Sequence, residues 1–132
     1  MKTVNDIYNI VTKNHGTKVC AKIDNEVCFL APPFYIEDEI LYLSKFNDER
    51  ESEHYIPLTT EDLEFGLERE ATDDCWLYRD GIEIGTTFTD VELMVCDKDF
   101  IDWEDANFYE VVDIVFENLC VVLICEKEKA YD

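Results

Sequence analysis

Apolar positions recur along the chain in two periods, and the change from one to the other predicts its elements. Val4, Ile7, Tyr8 and Val11 fall at helical spacing, with Thr3 placed to cap the start and Gly16 the end, so residues 3–14 read as a short helix. From Thr17 to Ala31 the period shortens to two. Val19, Ala21 and Ile23 alternate with Lys18, Cys20 and Lys22, Asp24-Asn25 supplies turn chemistry, and Val27 to Ala31 reads as the return strand of a hairpin. Pro32-Pro33 then interrupts the chain, and a third strand is expected from about Glu39 to Phe46. Pro57, Thr59 and Thr60 open a second helix running to about Ala71, which Gly66 weakens. Trp76 to Phe88 reads as a hairpin turning at Asp80-Gly81, and Val91 to Cys96 as a further strand.

The C-terminal third organises this reading. Tyr109, Val112, Phe116 and Leu119 recur at helical spacing, Phe108, Val111 and Val115 widen the stripe, and Asp105, Glu110, Asp113 and Glu117 occupy the other face. A helix is therefore expected here, running into a strand from Leu119 to Cys125 that is apolar on both faces. The expected fold is α+β: a single domain over residues 1–132, with a mainly antiparallel sheet of five to seven strands and two or three helices. The C-terminal helix packs on the sheet, the strand after it lies in the interior, and residues 126–132 fray. On this reading Phe116 is a core residue whose truncation to Ala costs about 3–5 kcal/mol. No internal repeat is evident.

Composition changes the picture in one respect. The chain of 132 residues is 47% apolar with ample aromatic content, enough for a core, yet carries 32 acids against 11 bases, a formal charge of −21. Lys2, Lys13, Lys18 and Lys22 stand near the N-terminus, so the deficit falls on the rest of the chain. The acids form three clusters, Glu37 to Glu53, Glu61 to Asp74 and Asp97 to Glu117. Six cysteines without Cys-x-x-Cys spacing, most of them in expected strands, read as reduced, packed thiols of a cytoplasmic protein in a bacterial host. No secretory leader or membrane-spanning run is visible, and a surface this acidic is repelled by anionic lipid.

Catalytic chemistry finds little support. There is no phosphate-binding glycine loop, no nucleophile elbow and no His-Glu-x-x-His pair. Asp97-x-Asp99-x-x-Asp102-x-Glu104 resembles part of a calcium loop. It lacks the required Gly and Glu, because Asp102 and Phe108 stand in those places. The chain reads as a non-enzyme without cofactor or metal. Its overall character resembles the small acidic inhibitors that phages and mobile elements direct against host nucleases, of the anti-CRISPR and antirestriction type. The resemblance is compositional and carries no shared motif. It implies a stoichiometric inhibitor whose acidic surface mimics nucleic acid and occupies the binding channel of a basic nucleic-acid-binding protein such as a CRISPR effector nuclease. The protein itself binds neither nucleic acid nor membrane on this reading. Glu37, Asp38, Glu39, Asp48, Glu49, Glu51 and Glu53 are the first expected contact patch, and Asp97, Asp99, Asp102, Glu104 and Asp105 the second. The alternatives are an immunity protein against a nuclease toxin, which it also resembles in character, and a regulatory module for a small molecule or peptide. One continuous acidic surface favours mimicry, while an apolar pocket with a few polar groups favours a ligand.

Overall fold

The computed structural model describes residues 2–50, 56–70, 77–79, 82–84, 91–98 and 104–127. Among the described residues, two α-helices, α1 (Val4–Val11) and α2 (Thr60–Glu70), accompany eight strands: β1 (Lys18–Ile23), β2 (Glu26–Glu37), β3 (Ile40–Lys45), β4 (Leu77–Arg79), β5 (Ile82–Ile84), β6 (Glu92–Cys96), β7 (Phe108–Glu117) and β8 (Cys120–Lys127). Six of them close into a barrel in the order β1-β2-β3-β6-β7-β8, while β4 and β5 pair separately as a two-stranded antiparallel sheet; the turn expected at Asp80-Gly81 lies outside the described residues. Neighbours are antiparallel except at two seams, where β3 runs parallel to β6 and β1 runs parallel to β8. Strands β1, β3, β6 and β8 therefore finish at one end of the barrel, here the upper rim.

The α+β expectation, a mainly antiparallel sheet with a C-terminal helix packed on it, is overturned. The segment expected as that helix is β7, a ten-residue strand. It pairs with β8 through a two-residue turn at Asn118-Leu119, where both residues have positive φ. A β-bulge explains the misreading. The register shifts between Val111 and Asp113, so Tyr109 and Val111 share a face with Ile114 and Phe116 rather than with Asp113 and Val115. The stripe read as helical, Tyr109, Val112, Phe116 and Leu119, thus takes residues from both faces of the strand and from the turn, and the bulge lets them fall at spacings of three and four. Phe116 is correspondingly 47% exposed rather than a core residue. Strand β8 is interior to the sheet as expected, paired on both sides. Pro32 and Pro33 likewise do not end a strand. They lie within β2, where its ladder to β3 is interrupted between Leu30 and Phe34 and a missing N–H costs little.

The barrel contains an internal duplication. Each half is an extended arm, a helix and three barrel strands, the second half carrying β4 and β5 in addition, and each arm lies in the sheet of the other half. Residues 2–4 fill the gap where β6 and β7 splay apart. Lys2 N–H donates to Val111 O at 2.8 Å, Leu93 N–H donates to Lys2 O at 3.1 Å, and Val4 N–H donates to Val91 O at 2.8 Å. Residues 58–60 do the same between β1 and β2. Leu58 N–H donates to Leu30 O at 2.8 Å, Val19 N–H donates to Leu58 O at 3.0 Å, and Thr60 N–H donates to Thr17 O at 2.9 Å. Antiparallel bridges join Thr3 to Glu92 and, equivalently, Thr59 to Lys18. Each arm ends in a capping box that satisfies the first N–H groups of its helix: Thr3 with Asp6, and Thr59 with Asp62. The turns at Asp38-Glu39 and Asn118-Leu119 correspond, as do the bulges in β2 and β7.

The helices close the lower end. Val4, Ile7, Tyr8 and Val11 of α1 and Leu63 and Leu67 of α2 join one cluster with barrel residues such as Val19, Leu43, Leu93 and Leu123, all fully buried. Gly66 weakens α2 by propensity but is required by packing. A Cβ there would lie 2.7 Å from Cε1 of Phe34. Gly66→Ala should gain helix propensity of about 1 kcal/mol and lose about 1–3 kcal/mol to overpacking, a net destabilisation in chemical denaturation. Phe34→Leu in the same chain should relieve it, and an additive double-mutant cycle would refute the contact. The turn residue Leu119 is 77% exposed at φ 60, a conformation that disfavours a bulky side chain. Leu119→Gly is expected to raise stability by about 1 kcal/mol, read as a higher denaturation midpoint.

Candidate functional site

Closure of the barrel redistributes the expected acidic patches. Asp38 and Glu39 form the turn between β2 and β3 at the lower end, with Glu37 beside them. Asp48 and Glu49 lie beyond the other end of β3, in a single 3-10 turn at the upper rim. Six residues of strand, about 20 Å, separate these two parts of what reads as one patch in sequence. Asp97, Glu104 and Asp105 of the second patch also stand at the upper rim, in the connection from β6 to β7. Glu51, Glu53, Asp99 and Asp102 lie outside the described residues.

Parts of both patches therefore meet. A groove of about 600 Å³ opens at the upper end of the β3–β6 seam, lined by Lys45, Asp48, Glu49, Asp97, Lys98 and Asp105 with Phe46 and Asn47. Asp97 holds its edge in place. Its carboxylate accepts from the backbone N–H of Asn107 at 2.8 Å and from the Asn107 side-chain amide at 3.1 Å, and its own N–H donates to Asn107 O at 3.1 Å. Both oxygens of Asp97 are thus committed to closing the neck of the loop. Asp48, Glu49, Glu104 and Asp105 are the exposed carboxylates around it.

A second groove, of about 370 Å³, opens at the same end over the β8–β1 seam and is lined by Lys22, Asp24, Asn25, Cys125, Glu126 and Lys127 with Ile124. Tyr109 stands between the two. It is 5% exposed, with the Asp24 and Asp97 carboxylates near its hydroxyl. Burial, then the negative charge of those two aspartates, pushes its pKa above the usual phenol range. Asp24, Glu26 and Glu126 are rim residues that the sequence did not single out. Asp24 was recognisable only as a turn former, because the strand end that makes it part of a rim, β8, is far away in sequence.

The acids of α2 behave differently. Glu68 accepts from the Tyr8 hydroxyl at 2.6 Å, Glu64 pairs with His15 at 2.6 Å, and Glu61 accepts from the Gly16 N–H. These carboxylates tie the second helix to the first and to the segment leading into β1. His15, itself exposed, is one end of that tie.

The five described cysteines, Cys20, Cys28, Cys96, Cys120 and Cys125, are free thiols. Among the described residues no group of three His, Cys, Asp or Glu side chains is placed to hold a metal ion, and no helix is long and apolar enough to cross a membrane. No family model, curated protein or solved structure matches the chain.

Proposed function

We propose that the protein is a stoichiometric inhibitor that presents its acidic upper rim to a basic nucleic-acid-binding enzyme in place of nucleic acid. The observation that carries this reading is the convergence of carboxylates at one end of the barrel. The turn between β1 and β2, the ends of β3, β6 and β8, and the lead into β7 each bring at least one, from Asp24 and Glu26 through Asp48, Glu49, Asp97 and Asp105 to Glu126. Neighbouring strand ends lie about 4.8 Å apart, and one nucleic-acid strand carries a phosphate every 3.4 Å or so of axis. Where a strand end brings two exposed carboxylates, as β3 does with Asp48 and Glu49, the local spacing of acids approaches that of phosphates, while Lys22, Lys45, Lys98 and Lys127 interrupt the negative charge elsewhere along the same grooves. The groove at this end is lined mainly by charged side chains, which suits a charged macromolecular surface better than a small apolar ligand. The partner class is a nuclease with a lysine- and arginine-lined channel, a CRISPR effector being one such enzyme.

The test is titration into nuclease–DNA binding assays with CRISPR effectors and restriction enzymes at several salt concentrations. Inhibition should weaken as salt rises, because exposed charges are screened over about 8–10 Å at physiological ionic strength. Asp48→Lys with Glu49→Lys, and separately Glu104→Lys with Asp105→Lys, should each weaken inhibition roughly tenfold or more, in line with the cost of placing like charges in an interface. Combining them should weaken it further. Inhibition indifferent to salt and to both reversals would sink the reading.

A further inference from the structure

The duplication leaves each half of the chain completed by an arm from the other. The backbone hydrogen bonds that hold Lys2 and Val4 between β6 and β7 reappear one for one at Leu58 and Thr60 between β1 and β2. The capping boxes match as well, in Thr3-Val4-Asn5-Asp6-Ile7 and Thr59-Thr60-Glu61-Asp62-Leu63. Ile7 and Leu63 occupy equivalent buried places, as do Val11 and Leu67. Such reciprocal exchange has the form of a two-fold dimer whose subunits have been joined into one chain. Each gap between splayed strands is a binding site for a strand-then-helix segment. The segment is recognised by main-chain hydrogen bonds and by apolar side chains entering the core.

We propose that the gap between β6 and β7 is such a site in its own right and that it takes the N-terminal arm of a second copy of this chain, giving an arm-exchanged dimer. The contacts made by residues 2–11 are the same whether the arm comes from its own chain or from another. Which source fills the gap is decided by the connection from α1 to β1 and by concentration. That connection is Thr12 to Thr17, with Gly16 at φ 82. It is long enough to return the arm to its own barrel, and shortening it removes that option while leaving residues 2–11 and the gap between β6 and β7 in place, at the loss of the Asn14, His15 and Gly16 contacts to Ile10, Glu64 and Glu61.

The experiment deletes Asn14, His15 and Gly16 from the full chain and measures mass by light scattering and native mass spectrometry. A folded dimer of about twice 15.5 kDa is expected. Equal amounts of isotope-labelled and unlabelled chain, unfolded together and refolded, should give mixed dimers at about half of the total. A folded monomer would overturn the proposal. Should the shortened chain fail to fold, the unaltered protein decides the matter. It is refolded with an excess of fluorescent peptide corresponding to residues 1–14. Captured peptide that co-elutes with the protein, and is not captured when it carries Val4→Asp and Ile7→Asp, supports the site. No capture of the unmodified peptide would overturn it.

Discussion

Raising the pH from 9 to 11 should destabilise the protein by a few kcal/mol at most, since one raised thiol loses up to about 1.4 kcal/mol per pH unit and partial solvation of the two groups reduces that. Burial, and then the neighbouring Cys120 thiol, pushes the pKa of Cys20 from 9.0 up to about 12. Burial, and then Cys28, does the same to Cys125, also to about 12. Burial raises Cys28 too, against the pull of Lys45. The direction follows from proton binding. A thiol whose pKa is higher in the folded state holds its proton more tightly there, so its contribution is fully present below about pH 9 and is lost as the pH climbs towards 12. Even a loss of about 2 kcal/mol is a sizeable share of the stability of a typical domain, about 5–15 kcal/mol. Denaturation midpoints at half-unit steps from pH 8 to 11 should fall. Cys20→Ala with Cys125→Ala should flatten that slope even though the double variant is less stable at neutral pH. A slope unchanged by the double variant would assign alkaline sensitivity to other groups.

Leu123→Ala should cost about 2–5 kcal/mol, as large-to-small changes in closed cores do. Leu123 is fully buried on β8, in register with Ile114 on one side and Ala21 on the other. It sits in the strand that closes the barrel, and neither neighbouring strand is free to collapse into the space. Phe116→Ala should cost only about 1 kcal/mol or less, because a half-exposed side chain gives up little burial. The two variants measured together by chemical denaturation discriminate between the barrel and a C-terminal helix. A helix packed through Phe116 would reverse their order.

Local chemistry made much of the chain legible. The capping residue Thr3, the Asp24-Asn25 turn and the alternation in β1 each act within a few residues, and all are where the pattern puts them. The C-terminal hairpin escaped for two local reasons, and the closed barrel for a non-local one. The bulge in β7 converts a period of two into a mixed spacing, and a Leu at the second turn position hides the hairpin that an Asn-Gly pair would have announced. Barrel closure depends on parallel pairing between residues from opposite ends of the chain, for which no short-range pattern exists. The duplication left only the Thr-x-x-Asp boxes as a trace in sequence.

The candidate site shows the same division. Acid clusters were visible as composition, and Asp48, Glu49, Asp97 and Asp105 do come together. Their grouping with Asp24 and Glu126 rather than with Asp38 is set by which strand ends share a rim. The commitment of Glu61, Glu64 and Glu68 to holding the helices together likewise depends on a tertiary contact between α1 and α2.

The seam between β1 and β8 joins Lys18 to Cys120 and Ala21 to Leu123. During synthesis those partners are separated by almost the whole polypeptide, and β1 must wait, with one side unpaired, until the last strand leaves the ribosome. The loop that has to close before this pairing gives any return is nearly as long as the chain, so slow, late folding is the kinetic consequence. Meanwhile the strong like charge carried by the emerging chain makes encounters between unfolded copies unfavourable.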